Sequence, residues 1–232
     1  MARLSFGPPG EPFRPLPRSL LALAGVIVCI ELFLELADRG ILSDPTLRSR
    51  VYMVGAFWSG LLHGARPIFE GQGWTMFVTH AFLHGGFLHM AMNTAVLLGL
   101  GRFTADRYGG WTVLPVFLVS AVAGGLAFGL MSSDPVPMVG ASGAVFGFVG
   151  VWTVWDWRRL SERGASIRPV ATRIAALAGM NALFFFGLSG MLAWQAHLGG
   201  FLAGLVLGVA FERRDGLRLR RSRAEARARR GG

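Results

Sequence analysis

Residues 140–157 read Gly140-Ala141-Ser142-Gly143-Ala144-Val145-Phe146-Gly147-Phe148-Val149-Gly150-Val151-Trp152-Thr153-Val154-Trp155-Asp156-Trp157. Between Ser142 and Trp155 there is no charge, and Gly143 and Gly147 stand four apart on one helix face. Small residues at that spacing let two helix backbones approach closely in hydrocarbon. A helix over 142–157 has about 16 residues, so at ~1.5 Å per residue it covers only ~24 Å. That falls short of the ~30 Å hydrocarbon core. Its first residue is therefore expected below the membrane surface, under a water-filled cavity. Ser142 would sit at a helix N-terminus, where free N–H groups stabilise an anion.

The rest of the chain agrees with a membrane bundle. Further apolar runs occupy 19–37, 88–104, 111–131, 170–188 and 192–211, giving six spans. Hydrophobic residues make up 53% of 232 and charged residues 16%, against roughly 25% charged in a soluble domain. Glycine, at 33 residues, is about twice its usual ~7% share. A single cysteine, Cys29, excludes a disulfide scaffold. The expected fold class is all-α: a polytopic six-helix membrane bundle over 19–211. A disordered cytoplasmic lead, 1–18, precedes it and an Arg-rich cytoplasmic tail, 212–232, follows.

Charge placement sets the orientation. The net charge is +10, every basic residue is Arg, and the stretch 212–230 carries nine of them. A basic tail directly after an apolar helix is what the positive-inside rule produces, and it favours anionic lipid headgroups. No basic–aromatic surface accompanies it, so nucleic acid is not an expected partner. Loops 102–110 and 156–169 are Arg-bearing, whereas 132–141 and 189–191 carry none. Both termini are thus expected in the cytoplasm and loop 132–141 outside. The long first loop, 38–87, contains an apolar segment, 51–62, too short to span and expected to lie in the interface. The all-Arg usage points to a GC-rich genome, and the absence of a long targeting segment to a bacterial plasma membrane as the expected location.

Polar residues within the spans carry the chemistry, because each is costly in hydrocarbon unless paired or functional. His197 is the ionisable residue of span 192–211, above Gly200, Gly204 and Gly208 spaced four apart. Packing this ladder on Gly143 and Gly147 would bring His197 against Ser142. A neutral imidazole there would take the proton a weak Ser nucleophile must lose. Glu31 and Glu35 lie in the first span and Asp156 at the opposite membrane face, so no carboxylate is placed to orient the ring. The pair reads as a Ser–His dyad.

The run His80-x3-His84-x4-His89-x3-Asn93 is the third element. His89 and Asn93 share a helix face and, with the Ser142 N–H, could act as donors to a developing oxyanion. His80 and His84 have the spacing of metal ligands, but no Glu follows as in H-E-x-x-H. They are expected to anchor the loop, with no metal and no cofactor.

These pieces together resemble the rhomboid family of intramembrane serine proteases. The matching residues are His80, His84, His89 and Asn93, then Gly140-x-Ser142-Gly143, then Ala196-His197-x2-Gly200-x3-Gly204. The resemblance implies cleavage of membrane-anchored proteins near the outer face, with Ser142 as nucleophile and His197 as general base, then acid. It also implies an oxyanion hole of His89, Asn93 and the Ser142 N–H, supported by Gly140, Gly143, Phe146, Gly200 and Gly204. The partners implied are transmembrane protein substrates within the lipid bilayer.

Three positions depart from the family pattern. Thr75-Met76 stand where Trp-Arg is usual, and Phe146 replaces a Tyr that stacks on the catalytic His. Asp106 loosely matches a usual acidic residue near the inner end of the second span. Because no catalytic group is missing, a silent relative that binds transmembrane clients without cutting them is the lesser alternative. A small transporter is disfavoured by the lack of an inverted repeat or an acidic relay.

Overall fold

The computed structural model describes residues 15–132, 135–187 and 192–228, with side chains as far as residue 217. Eight α-helices run in the order α1 (Arg18–Asp38), α2 (Leu47–Gly55), α3 (Gln72–Thr79), α4 (Phe87–Tyr108), α5 (Val113–Met131), α6 (Ser142–Glu162), α7 (Arg168–Gly187) and α8 (Trp194–Ala228). Over the described residues each of the six apolar runs falls on a helix, apart from 111–112 in a 3₁₀ turn and 192–193 ahead of α8. Four helical segments are long and apolar enough to cross a membrane: Arg18–Asp38, Gly110–Met131, Arg168–Gly187 and Trp194–Leu217. The pair Gln72–Phe82 and Phe87–Tyr108, bent by 83°, makes a fifth if counted as one broken span. α6 is not in that set, because its last turns carry Asp156, Arg158, Arg159 and Glu162.

Those turns also correct the expected length of α6. The helix runs to Glu162, 21 residues or about 31 Å, so only its apolar part is short. The charged end is stable because its ions are paired. Asp156 accepts from Arg159 and from Arg173 of α7, both at 2.8 Å. Likewise α8 does not stop near Phe211. The following stretch is rich in Arg, Leu, Ala and Glu, all good helix formers, and the helix continues to Ala228. Its charged entry is fastened inward: Glu212 accepts from Tyr108 Oη at 2.5 Å and pairs with Arg107 at 3.3 Å. Arg214 lies over the Trp111 ring at 4.6 Å. The buried acid at this end is thus Glu212, whereas Asp106 is an exposed partner of Arg102. Residues 1–14, 133–134, 188–191 and 229–232, on which parts of the expected lead, two loops and the end of the expected tail fall, lie outside the described residues.

α6 is the central helix, enclosed by α4, α5 and α8, while α1 packs against α4. The larger core cluster includes Leu20, Ile27, Leu97, Phe117, Phe148 and Val151. Glycine sets the α6–α8 distance. A Cβ at Gly200 would overlap the carbonyl oxygen of Gly143, and one at Gly204 that of Gly147. At Gly150 it would meet the Phe201 carbonyl. Side-chain packing in hydrocarbon has no hydrophobic drive between helices, so backbone proximity of this kind supplies the association through van der Waals contact. α7 differs: Val170 is its one buried residue.

The first loop is ordered, and the segment 51–62 is not one element. α2 ends at Gly55, Phe57 then pairs antiparallel with Met138, and a 3₁₀ turn follows at Ser59–His63. The break has a packing cause, since Phe57 is fully buried in edge-to-face contact with Phe77 and Phe128. Arg48 ties this loop to α1. It makes a fork on Glu31 at 2.9 and 3.2 Å, bonds Asp38 at 2.6 Å and donates to the His84 carbonyl at 2.8 Å. Burial opposes the Arg48 charge, but hydrogen bonds to Glu31, Tyr52 and Asp38 outweigh it and hold the guanidinium more basic than usual.

Two stability outcomes follow from these contacts. Arg48→Met strands the fully buried Glu31 carboxylate, a loss of about 3–5 kcal/mol, and adding Glu31→Gln should recover part of it; denaturation in mixed micelles measures both. In the same assay Gly204→Val should destabilise by about 1–3 kcal/mol or more. Gly25→Val, with open space around it, should not.

Candidate active site

Ser142 is the first residue of α6, so its N–H has no partner within the helix. The strand-like lead into it is fastened residue by residue to the first loop. Met138 exchanges both backbone bonds with Phe57 at 2.9 Å, the Gly140 N–H donates to the His80 carbonyl at 3.0 Å, and the Ala141 N–H donates to His84 Nε2 at 3.2 Å. His80 in turn uses Nδ1 on the Met76 carbonyl at 2.7 Å. The His84 carbonyl receives Arg48 and the Tyr52 hydroxyl. These imidazoles therefore spend ring nitrogens on backbone, as loop anchors do. Among the described residues no group of three or more His, Cys, Asp or Glu could hold a metal ion.

His197 lies in the first turn of α8 and is buried. The close approach of α6 and α8 puts its Nε2 2.9 Å from Ser142 Oγ. Phe146, one turn below Ser142, stacks on the imidazole with centroids 4.3 Å apart and planes within 9°. A phenyl ring thus covers the face of His197 without a hydroxyl. The other ring nitrogen, Nδ1, lies 2.5 Å from Asn181 Oδ1 on α7. Asn181 escaped the sequence reading, because a single Asn in an apolar helix is a common polar residue and only the tertiary fold brings it to position 197. The signal available was its isolation: it is the lone polar residue of the span from Ile174 to Phe186.

His89 approaches from the first turn of α4. Its Nδ1 accepts the Gly85 N–H at 3.3 Å, so in the neutral ring the proton sits on Nε2. That edge faces Gly140: a Cβ there would be 3.0 Å from His89 Nε2 and 3.8 Å from Ser142 Oγ. Gly140 has φ +127, a backbone region that side chains avoid, so glycine meets both the turn and the close approach. An N–H donor and the Ser142 hydroxyl consequently flank one small space. Asn93, buried one turn further along α4, donates Nδ2 to the His89 carbonyl at 3.0 Å, which leaves its second amide hydrogen. Of the residues singled out from sequence, Ser142, His197, Phe146, His89 and Gly140 converge here. Gly143, Gly200 and Gly204 lie in the helix contact beneath. Asn93 adjoins His89 without a hydrogen bond to Ser142.

The space beside His197 is mostly apolar. A cavity of about 420 Å³ opens between α6, α7 and α8, bordered by Phe146, Leu177, Asn181, Phe185, Trp194 and His197. Chemically the arrangement offers a hydroxyl hydrogen-bonded to one imidazole, an imidazole N–H on the other side, and a free helix N–H.

The rhomboid domain profile matches residues 70–214, which takes in all of these groups. Rhomboid protease GluP of Bacillus subtilis is 32% identical over 143 residues, 62% of this chain and 27% of that protein. RHOMBOID-like protein 5 of Arabidopsis thaliana is 32% identical over 171 residues, 72% of this chain and 50% of the relative. Rhomboid-type serine protease 2 of Emericella nidulans is 30% identical over 145 residues, 60% and 27% respectively. The chain thus spans between about a quarter and a half of the length of these relatives. The profile covers more than half of the chain, the helices are apolar, and this protein is an integral membrane protein of the rhomboid family.

Proposed function

We propose that the protein is an intramembrane serine endopeptidase that hydrolyses peptide bonds in or near the transmembrane segments of other membrane proteins. The observation that carries this reading is the 2.9 Å contact between Ser142 Oγ and His197 Nε2, made across two helices that touch through glycine. In the reaction, Ser142 Oγ attacks the scissile carbonyl carbon while its proton passes to His197 Nε2. The carbonyl oxygen takes up the charge and is met by the Ser142 N–H, His89 Nε2–H and the Asn93 amide. The imidazolium then gives its proton to the leaving amine as the C–N bond breaks. Water, deprotonated by the same ring, attacks the acyl-serine; a carboxylate leaves and Ser142 is restored.

The membrane arrangement proposed has six spans, α1 and α4 to α8, with the first loop in the interface. α6 crosses within the protein, enclosed by its neighbours, so lipid need not solvate its charged end. Both termini are assigned to the cytoplasm of a bacterial cell and the Ser142 cavity to the outer face. Arg102 and Arg107 near the end of α4, Arg158 and Arg159 near the end of α6 and Arg163 just after it support that orientation. A substrate helix would have to unfold locally to offer an extended bond to so enclosed a serine.

Purified protein in detergent should cleave a fusion bearing a type I transmembrane segment, and Ser142→Ala and His197→Ala should each abolish cleavage while a chelator spares it. Asn93→Ala should slow turnover by about 10- to 1000-fold, the cost of one lost oxyanion donor; an unchanged rate removes Asn93 from the hole. Phe146→Tyr should be tolerated or mildly activating, since the stacked ring keeps its place. If the wild type neither cleaves nor labels at Ser142 with a fluorophosphonate, the client-binding reading replaces this one.

A further inference from the structure

We infer that Asn181 is a positioning residue for His197, the third member of a Ser–His–Asn arrangement in which α7 sets the tautomer of the general base. This rests on the protease reading above. The amide orientation is determined by its own helix: Asn181 Nδ2 donates to the Leu177 carbonyl at 2.9 Å. The group turned to the imidazole is therefore Oδ1, which only accepts. At 2.5 Å from it, Nδ1 must carry the proton. In a neutral ring that leaves Nε2 unprotonated, with its lone pair toward Ser142 Oγ 2.9 Å away. The opposite tautomer would set two lone pairs against each other at Asn181 and offer Ser142 an N–H, which cannot accept its proton.

The ring's other freedoms are restrained elsewhere. Phe146 stacks on its face and stops it from tipping, but a phenyl ring does not choose between tautomers or hold rotation in the ring plane. Asn181 supplies both through one edge bond. It is the one polar residue that α7 contributes to the apolar cavity beside His197. A neutral amide suits that site: a carboxylate there would face a mostly apolar wall, where an ion costs far more than a dipole. The wrong tautomer is a severe defect in serine proteases, where replacing the orienting carboxylate by an amide lowers kcat by about 10⁴. A bond to a neutral acceptor should matter less than that.

The test uses the full chain in detergent with a fluorogenic transmembrane substrate, alongside fluorophosphonate labelling of Ser142. Asn181→Leu, near in shape and without an acceptor, should lower kcat by about 10- to 100-fold with KM within about twofold. Asn181→Asp, in the neutral carboxyl form that the apolar wall favours, can donate to the Leu177 carbonyl and still offer an oxygen acceptor to Nδ1, and should recover part of that loss. With ¹⁵N-labelled histidine, the His197 nitrogens should report an Nδ1–H ring in the wild type and a mixture in Asn181→Leu, whether or not substrate is present. A kcat within twofold of wild type for Asn181→Leu, an Asp variant no better than Leu, or an unchanged tautomer each overturns the inference. Loss of folding in Asn181→Leu is detected by its melting profile, and the tautomer in Asn181→Asp then decides. A wild type that shows the Nδ1–H ring but neither cleaves nor labels overturns the protease reading instead, and with it the role given to Asn181.

Discussion

The approach of two backbones, α6 and α8, is the constraint on which the rest depends. Gly143 and Gly147 face Gly200 and Gly204 so closely that no side chain fits at the latter two positions. That distance brings Ser142, at the first residue of one helix, to His197, in the first turn of the other. A methyl group at the contact would part the helices, and the hydrogen bond above would lengthen with them. Hydrocarbon makes this design natural. Helices there gain nothing by burying leucines against each other, so intimate van der Waals contact between glycine surfaces supplies the association.

Above that contact the site is held from outside the bundle. The lead into Ser142 buries Met138 and Ala141 in the core and is hydrogen-bonded to the first loop through Phe57, His80 and His84. The loop is in turn held by Arg48, which reaches Glu31 and Asp38 on α1 as well as the His84 carbonyl. A chain of polar contacts therefore runs from α1 to the residue preceding the serine. The arginine that fastens this loop is Arg48 of α2, whereas Thr75 and Met76 lie on α3. Three histidines of the same run consequently have different work. His80 and His84 bind backbone, and His89 alone turns an N–H toward the serine's space.

The buried acids at the end of the bundle away from the serine follow one electrostatic rule. At the α6 terminus Asp156 is shared by Arg159 and Arg173, and at the α8 entry Glu212 is shared by Tyr108, Arg107 and Arg158. Each buried acid has more than one donor, which is what an uncompensated charge away from water requires. At the serine end stand imidazoles, amides and a hydroxyl instead, with Arg48 and its acids kept one shell of contacts away. In the reaction proposed above, charge arises with proton transfer from Ser142, so donors fixed in advance would act on it at full strength.

Sequence by itself determined the helical class, the six apolar segments and the approach of His197 to Ser142, because apolar length and four-residue glycine spacing are local properties; it singled out Phe146 only through the family resemblance. It misjudged where α6 and α8 end, since charges that look like helix exits are retained when partners such as Arg173 or Tyr108 arrive from other helices. It could not reveal Asn181. Its isolation in an apolar span marks the residue but names no partner, and its meeting with His197 depends on how α7 lies against α8. The same holds for Arg48, whose partners Glu31 and His84 are 17 and 36 residues away. Periodicity reports which face of a helix avoids polarity; only the packed structure decides which polar atoms finish opposite one another, because hydrogen bonds are short and directional while sequence spacing is blind to both.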